Sequence, residues 1–325
     1  RLLKDWGNLG KINLIIGDNA AGKTFLLKAL YCGVRTLEDY RRGDEPRTAN
    51  EILFEKLFWT FQAEKIGDLV TKGCDEALSC TMVFDTGKFE YGYGKDTTKQ
   101  ISTLNNSVPP RSCHSVFLPA KEILSLHQII LKSRELDKSF GFDDTYLDLA
   151  KALRQPPLKG KNYTAFARSR ESLEKILGGK VEFDEPNGRW FFQKGKLKYP
   201  IGVTAEGIKK VAILDTLLGN RYLDPQSLIF IDEPESALHP AALSKFLEIV
   251  KTLSQGGIQF FLASHSYFVI KKLFLLAVES QISIPVLSFV DNTWTSSDLK
   301  DGIPDNPIID ESIRLYKEEV GVSLK

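Results

Sequence analysis

The clearest structural signal in this chain is the run Leu14-Ile15-Ile16-Gly17-Asp18-Asn19-Ala20-Ala21-Gly22-Lys23-Thr24. It is a short β-rich apolar run that passes into a loop bounded by two glycines. The loop fits the phosphate-binding pattern G-x-x-x-x-G-K-[ST] at every fixed position. Gly17 and Gly22 let the backbone curl so that successive N–H groups point inward at phosphate oxygens. We therefore predict that this loop binds the phosphates of a nucleotide.

The residues beside the glycines predict how such a nucleotide is held. Lys23 would reach the β- and γ-phosphates and so belongs to the predicted catalytic residues, and Thr24 would ligate Mg²⁺. Residues 11–16 are typical of a buried strand and residues 24–40 of an amphipathic helix, whose N-terminus favours an anion. The alternative is a purely structural glycine loop, which this strand–loop–helix setting disfavours. The predicted nucleotide contacts are Gly17, Asp18, Asn19, Ala20, Ala21, Gly22, Lys23, Thr24 and Phe25.

The composition is that of an ordered globular protein. The chain has 325 residues, 42% of them hydrophobic, and a formal net charge of +1, so no global charge favours nucleic acid or an anionic membrane. Four cysteines without a C-x-x-C pair predict reduced thiols and a cytoplasmic location. We find no signal peptide and no apolar run approaching about 18 residues, and therefore expect no membrane association. Residues 1–6 predict a first strand, so we expect the natural N-terminus to lie upstream.

Two further strands end in residues suited to chemistry. Residues 227–231 are an apolar strand followed by Asp232 and Glu233. We predict that Asp232 holds Mg²⁺ and that Glu233 is the general base toward the attacking water; the alternative is a helix-capping pair. His265 follows the strand predicted over residues 258–263, at the edge where α/β folds bind ligands, and we predict that it touches the γ-phosphate or the water. A lone histidine is more often structural.

These three segments resemble the motifs of a known superfamily. Residues 17–24, 231–240 and 263–266 resemble the Walker A, Walker B with D-loop, and switch-histidine motifs of ABC-type ATPases. The form D-E-P-E-x-x-L-H-P is similar to that of RecF-like repair ATPases, SMC proteins and the OLD-type ATPases of prokaryotic phage defence. The resemblance implies ATP and Mg²⁺ as cofactors. It also implies a homodimer that sandwiches two ATP molecules, with higher oligomers left open.

A signature segment is expected just before the helix that leads to Walker B. Residues 203–210 lie there and resemble the S/T-x-E-G form of the defence-type ATPases, so we predict that Glu206 and Gly207 contact nucleotide across the dimer. The alternative is an ordinary helix over residues 208–218 capped by Thr204. No clear Q-loop glutamine is present; Lys121 or Glu122 occupies the corresponding position.

The predicted fold is α/β. It is an ABC-type P-loop ATPase head with a mixed or parallel core sheet, an antiparallel β-subdomain over residues 78–103 and an inserted helical lobe. We divide the chain into an N-terminal ATPase lobe (1–118), a helical and β insertion lobe (119–200) and a C-terminal ATPase lobe (201–325) that carries the signature, Walker B, D-loop and switch histidine.

The leading functional hypothesis is an ATPase that switches a separate effector, in antiviral defence. The chain has no long coiled coil, and only about 35 residues follow Val290, too few for the Toprim nuclease of OLD proteins. We predict that Asp298, Asp301, Asp305 and Asp310 lie in turns. This pattern resembles the stand-alone ATPases of the Septu and retron-associated systems, which implies an HNH-type nuclease as the partner.

Two other functions remain open. A RecF-like repair or recombination ATPase would clamp duplex DNA, and basic clusters at residues 41–42, 168–170 and 194–198 would then contact phosphates; ordinary solvated faces are the alternative. A regulatory module would bind ATP structurally. The Asp232–Glu233 pair argues against the last, although the incomplete signature and the missing glutamine predict slow turnover.

Overall fold

The computed structural model describes residues 5–44, 46–73, 75–156 and 162–323. Its strands are β1 (Ile12–Gly17), β2 (Leu78–Phe84), β3 (Gly87–Tyr93), β4 (Thr103–Asn106), β5 (Val116–Leu118), β6 (Lys180–Asp184), β7 (Arg189–Lys194), β8 (Leu197–Pro200), β9 (Leu228–Asp232), β10 (Gln259–Ser264), β11 (Pro285–Val290) and β12 (Thr293–Asp298). Its α-helices are α1 (Lys23–Asp39), α2 (Ala49–Phe61), α3 (His127–Leu131), α4 (Asp144–Leu153), α5 (Thr164–Leu177), α6 (Glu206–Gly219), α7 (Pro240–Gln255), α8 (Tyr267–Ser280) and α9 (Pro307–Ser323).

The core is a six-stranded sheet in the order β12-β11-β1-β10-β9-β5. Five of its strands are parallel and β12 is antiparallel to β11. Every residue of β1 is buried, and alternate side chains enter two apolar clusters: Ile12, Leu14 and Ile16 in one, and Ile15 in the other. A strand buried on both faces is typical of α/β folds. The predicted α/β fold with a mixed core sheet is therefore confirmed.

Two small antiparallel sheets flank this core. Strands β2, β3 and β4 form one, as predicted for the β-subdomain, and β6, β7 and β8 form the other. Between them in sequence lie α3, α4 and α5, which are the helices of the predicted insertion. No helix within the described residues has the length and apolar character needed to cross a membrane.

The segment after β5 is not one regular α-helix. The helix α3 has five residues and continues as a π-helical turn over Lys132–Leu136. Ahead of it, Glu122 accepts a hydrogen bond from the backbone N–H of Ser125 and stabilises a turn instead of a helix. Thr204 is not the cap of α6, because the cap position is Ala205 and the helix begins at Glu206.

The predictions for the two ends of the chain were also incomplete. The strand predicted over residues 1–6 lies largely outside the described residues, and residues 5 and 6 are not in a strand. Asp298 ends β12 instead of lying in a turn, and Asp310 lies in the first turn of α9. The pattern of β12, Thr-Trp-Thr-Ser-Ser-Asp, is almost entirely polar, so an edge strand paired to one neighbour escapes recognition by apolar alternation.

Candidate functional site

Three of the predicted motifs meet at one edge of the core sheet. Ile16 of β1 pairs with Ser264 of β10, and Ala263 of β10 pairs with Asp232 of β9. These neighbouring strands are parallel, so the loops that leave their carboxyl ends are adjacent in space. Residues 17–24, 232–238 and 264–266 therefore surround a single place in the fold.

The phosphate-binding loop has the backbone that its glycines predict. Gly22 has a φ of +95°, a left-handed conformation that favours glycine, and it directly precedes α1. Gly17 is constrained by space as well, because a Cβ there would lie 2.9 Å from the Cβ of Phe289. The loop is closed by a hydrogen bond from Ala21 N–H to the Asp18 carbonyl (3.2 Å). This curled loop before a helix N-terminus is suited to an anion.

Lys23 folds back onto this loop. Its Nζ donates to the carbonyl oxygens of Gly17 (2.6 Å) and Asp18 (2.8 Å), and the residue is 9% exposed. Burial lowers the pKa of Lys23, while the nearby Asp232 carboxylate opposes that shift. The ammonium group therefore lies within the loop, where a phosphate would compete with the two carbonyls for it.

Thr24 and Asp232 are in direct contact across 208 residues of sequence. Thr24 Oγ1 donates to the Asp232 carboxylate, at 3.0 and 3.1 Å from its two oxygens. Asp232 is 9% exposed, and burial raises its pKa, with the Thr24 hydrogen bond opposing the shift. Within the described residues no group of three or more histidine, cysteine or acidic side chains forms a metal site. A hydroxyl and one carboxylate suit Mg²⁺, which keeps water and phosphate oxygens as its other ligands.

Glu233 and His265 lie side by side next to this pair. His265 Nδ1 is 3.4 Å from Glu233 Oε1, and both side chains are partly exposed. Glu233 has a left-handed φ of +48°, and its backbone N–H donates to the Ala263 carbonyl at the end of β10 (2.9 Å). The Walker B turn is thus joined to the strand that carries the histidine.

Sequence reasoning missed two residues of this cluster, Glu235 and Lys210. Glu235 accepts hydrogen bonds from Ser264 Oγ (2.8 Å) and from the backbone N–H of His265 (3.2 Å). Lys210 of α6 is 4% exposed and donates to the Glu233 carbonyl oxygen. Burial lowers the pKa of Lys210 to about 8, although Glu235 raises it. The second glutamate of D-E-P-E and a lysine in an apolar helix were the available signals.

The predicted signature residues lie at the start of α6, beside residues 237 and 238. Gly207 packs against the D-loop, where an added Cβ would lie 2.6 Å from the Ala237 carbonyl oxygen. Glu206 is exposed, and no side chain caps the N-terminus of α6. Phe25, predicted to contact nucleotide, has its ring 4.7 Å from that of Phe61.

The two candidates for the missing Q-loop differ in their surroundings. Glu122 is buried and forms an ion pair with Lys209 of α6 (3.0 Å), whereas Lys121 is exposed. Glu122 therefore joins the segment after β5 to the signature helix, and only Lys121 has a solvent-exposed side chain for a ligand.

The fold and this site together are those of a P-loop nucleotide-binding domain. The model of the family described as "AAA domain, putative AbiEii toxin, Type IV TA system" matches residues 108–271, slightly more than half of the chain. The chain belongs to that family. The matched segment includes residues 231–240 and 263–266.

Solved structures resemble this fold at low sequence identity. An SMC head bound to the C-winged helix domain of ScpA is 13% identical, covers 89% of this chain and 90% of its own, and gives a TM-score of 0.51. The SMC head domain from Thermotoga maritima is 12% identical over 88% of this chain and 89% of its own, with a TM-score of 0.41. An ATP-binding cassette of an ABC transporter in its ADP conformation is 14% identical over 91% and 83%, with a TM-score of 0.37. No curated protein sequence matched the chain.

Proposed function

We propose that this chain binds ATP with Mg²⁺ and hydrolyses it to ADP and phosphate. The observation that carries the proposal is the contact of Thr24 Oγ1 with the Asp232 carboxylate at 3.0 Å, beside the Lys23 ammonium group. A phosphate-binding loop alone serves many nucleotide-binding proteins. A loop hydroxyl joined to a strand-end carboxylate is the arrangement that a nucleotide-bound Mg²⁺ requires.

Each residue of the site has a proposed part in hydrolysis. Lys23 leaves the loop carbonyls and neutralises charge on the β- and γ-phosphates, and Thr24 and Asp232 hold Mg²⁺. Bound Mg²⁺ supplies electrostatic stabilisation of the phosphate oxygens. Glu233 accepts the proton of the attacking water, and His265 orients that water or contacts the γ-phosphate. The partial exposure of Glu233 and His265 leaves room for a water beside both side chains.

We further propose that hydrolysis takes place in a homodimer. The uncapped N-terminus of α6, with Glu206 and Gly207, is the segment proposed to meet the γ-phosphate bound by the other chain. The packing of Gly207 on the D-loop would connect this segment to Walker B of its own chain. The lobes 1–118, 119–200 and 201–325 are part of this proposal. Their first and third members contribute adjacent strands, β5 and β9, to one sheet.

The proposed biological role is control of a separate effector in antiviral defence. It rests on the similarity of residues 231–240 to OLD-type ATPases, and on the resemblance of the chain as a whole to the stand-alone ATPases of the Septu and retron-associated systems. For the latter an HNH-type nuclease is the expected partner.

The DNA clamp receives less support from the basic clusters. Arg42 donates to the Arg111 carbonyl oxygen, and Arg170 forms an ion pair with Asp215 (2.9 Å). These arginines already have partners within the chain, so their contribution to phosphate binding would require new geometry.

The test of the enzymatic proposal is phosphate release by the wild-type protein and by Glu233→Gln at saturating ATP and Mg²⁺. We expect slow but measurable turnover in the wild type and a loss of about 100-fold or more in the variant. Equal rates in both proteins would contradict the assignment of Glu233. Failure of the wild type to release phosphate, alone and with duplex DNA, would leave ATP binding as the only activity.

A further inference from the structure

Glu235 lies behind the proposed catalytic pair and contacts the backbone that carries His265. One carboxylate oxygen, Oε1, accepts from Ser264 Oγ (2.8 Å) and from His265 N–H (3.2 Å), and it is 3.7 Å from His265 Nδ1. Ser264 Oγ in turn accepts from the backbone N–H of Ser266, the residue that precedes α8 (3.0 Å). Ser264 at the end of β10 and the two residues between β10 and α8 are therefore organised around a single carboxylate oxygen.

The second carboxylate oxygen of Glu235 is in a different environment from the first. Glu235 Oε2 is buried and has no hydrogen-bond partner within the described part of the chain, and the side chain is 15% exposed. A buried carboxylate needs a compensating charge. Lys210 is a nearby cation and is also buried. Of the acidic side chains around Lys210, Glu235 has the strongest electrostatic effect on it.

Lys210 connects the same cluster to Glu233. Its Nζ donates to the Glu233 carbonyl oxygen. Glu233 has a φ of +48°, which is unfavourable for any residue other than glycine. Two strained or irregular segments, the Walker B turn and the loop after β10, are thus held by one acidic and one basic side chain. With both segments held in this way, His265 Nδ1 lies 3.4 Å from Glu233 Oε1.

We propose that Glu235 is a positioning residue, which holds the loop after β10 so that the His265 imidazole meets the Glu233 carboxylate. This inference rests on the proposed hydrolysis. Glu235 does not touch the reacting atoms; it acts through His265. Lys210 secures the other side of the pair through its hydrogen bond to the Glu233 carbonyl oxygen.

A double-mutant cycle tests whether Glu235 acts through His265. In the wild-type background, Glu235→Ala should lower kcat for ATP hydrolysis by about 10- to 100-fold, with KM and the Kd for ATP unchanged within about twofold. In a His265→Ala background, the same substitution should change kcat by less than about twofold. An equal loss in both backgrounds would overturn the proposal, since it would show an effect independent of His265.

Two further variants separate positioning from folding. Glu235→Gln retains an oxygen that can accept from Ser264 and should recover at least about half of the lost kcat. Glu248→Ala, which removes an exposed carboxylate paired with Lys272 of α8 (2.6 Å), should leave kcat unchanged within about twofold. Activity of Glu235→Gln no higher than that of Glu235→Ala would contradict the role of the hydrogen bonds.

A structural measurement keeps the inference distinct from the proposed activity. In a crystal structure of the Glu235→Ala protein, the distance from His265 Nδ1 to Glu233 Oε1 should increase by about 1 Å or more. An unchanged 3.4 Å separation would overturn the inference even if the wild type hydrolyses ATP. A wild type that releases no phosphate would refute the proposed hydrolysis instead, and the crystallographic distance would still report on Glu235.

Discussion

Lys23 lies at the point where the loop geometry and the proposed chemistry meet. Its ammonium group makes hydrogen bonds of 2.6 and 2.8 Å to two carbonyls of the loop that is proposed to bind phosphate. Lys23→Ala removes the positive charge but leaves Gly17 and Gly22, which set the backbone. The substitution therefore separates the contribution of the charge from that of the loop conformation.

We predict that Lys23→Ala weakens ATP binding by about 100-fold or more, because two charge-assisted contacts to phosphate are lost. Equilibrium binding of a fluorescent ATP analogue measures the effect. Lys245→Ala, which removes an exposed lysine of α7, is the matched control and should retain the wild-type Kd. Wild-type affinity in the Lys23 variant would contradict the proposed nucleotide site.

Lys210 gives a second prediction, on stability against pH. Burial lowers its pKa from 10.5 to about 8 in the folded chain. Between these two pH values the unfolded chain binds more protons, so the free energy of unfolding increases with pH. We expect the Lys210 contribution to increase by at most about 3 kcal/mol over this window. Urea unfolding of wild type and Lys210→Met at pH 7.5 and about 10 measures the difference. An equal pH dependence in the two proteins would contradict the lowered pKa.

At the scale of elements, a buried ionic cluster joins α1, α2 and α4. Asp148 of α4 accepts from Lys56 of α2 (2.8 Å) and from the Tyr31 hydroxyl of α1 (2.8 Å), and it lies 3.7 Å from Arg35 Nε. Burial opposes its ionisation, but Lys56 and Arg35 lower the pKa of Asp148 to about 2. The helix that begins at the phosphate-binding loop is thereby attached to α2 and to α4, the latter of which follows β5.

We predict that Asp148→Ala destabilises the protein by about 3–5 kcal/mol, because Lys56 and Arg35 would remain buried without their shared partner. Denaturant unfolding measures the loss. The control is Glu311→Ala, which breaks an exposed pair with Arg314 in α9 (2.8 Å) and should cost no more than about 1 kcal/mol. A loss of similar size in the two variants would show that the buried cluster is no more important than a surface pair.

The sequence was informative where an element or a site depends on local residues. The strands β1, β9 and β10 are continuous apolar runs, and the loop at residues 17–24 carries its glycines at fixed spacing, so both were predictable. Thr24 and Asp232 were each predicted to hold Mg²⁺, and in the structure their side chains are in contact. Glu235 and Lys210 were missed because their contacts join a turn, a strand end and a helix that are distant in sequence. The periodicity of residues within one element does not predict such contacts.

The core sheet combines β1, from the start of the chain, with four strands from its last third, β9, β10, β11 and β12. Strand β1, which leads into the phosphate-binding loop, lies between β10 and β11. The strand from the start of the chain is therefore flanked by two strands from its last third. The proposed dimer would add a second level of assembly, in which ATP lies between two such sheets. An assembly of that kind should depend on bound nucleotide.

We predict that Glu233→Gln, which retains Lys23, Thr24 and Asp232, forms a dimer in ATP and Mg²⁺, because nucleotide is bound but not hydrolysed. Sedimentation velocity at several protein concentrations measures the mass. Lys23→Ala under the same conditions should remain at the mass of the wild type without nucleotide. A Glu233→Gln protein whose mass is the same with and without ATP would contradict the sandwich.

The same pair of variants can identify what the ATP-bound form controls. If ATP closes a surface that holds an effector, Glu233→Gln should retain that effector in ATP and Mg²⁺, whereas Lys23→Ala should not. We therefore predict that affinity capture from the native cell extract with Glu233→Gln recovers a nuclease-like protein that is absent from the Lys23→Ala control. Mass spectrometry and nuclease-treated parallel samples distinguish a protein partner from one retained through DNA. Capture of duplex DNA alone, with hydrolysis that DNA stimulates and salt suppresses, would contradict effector control and favour the repair-type clamp, since salt dependence is the mark of phosphate contacts.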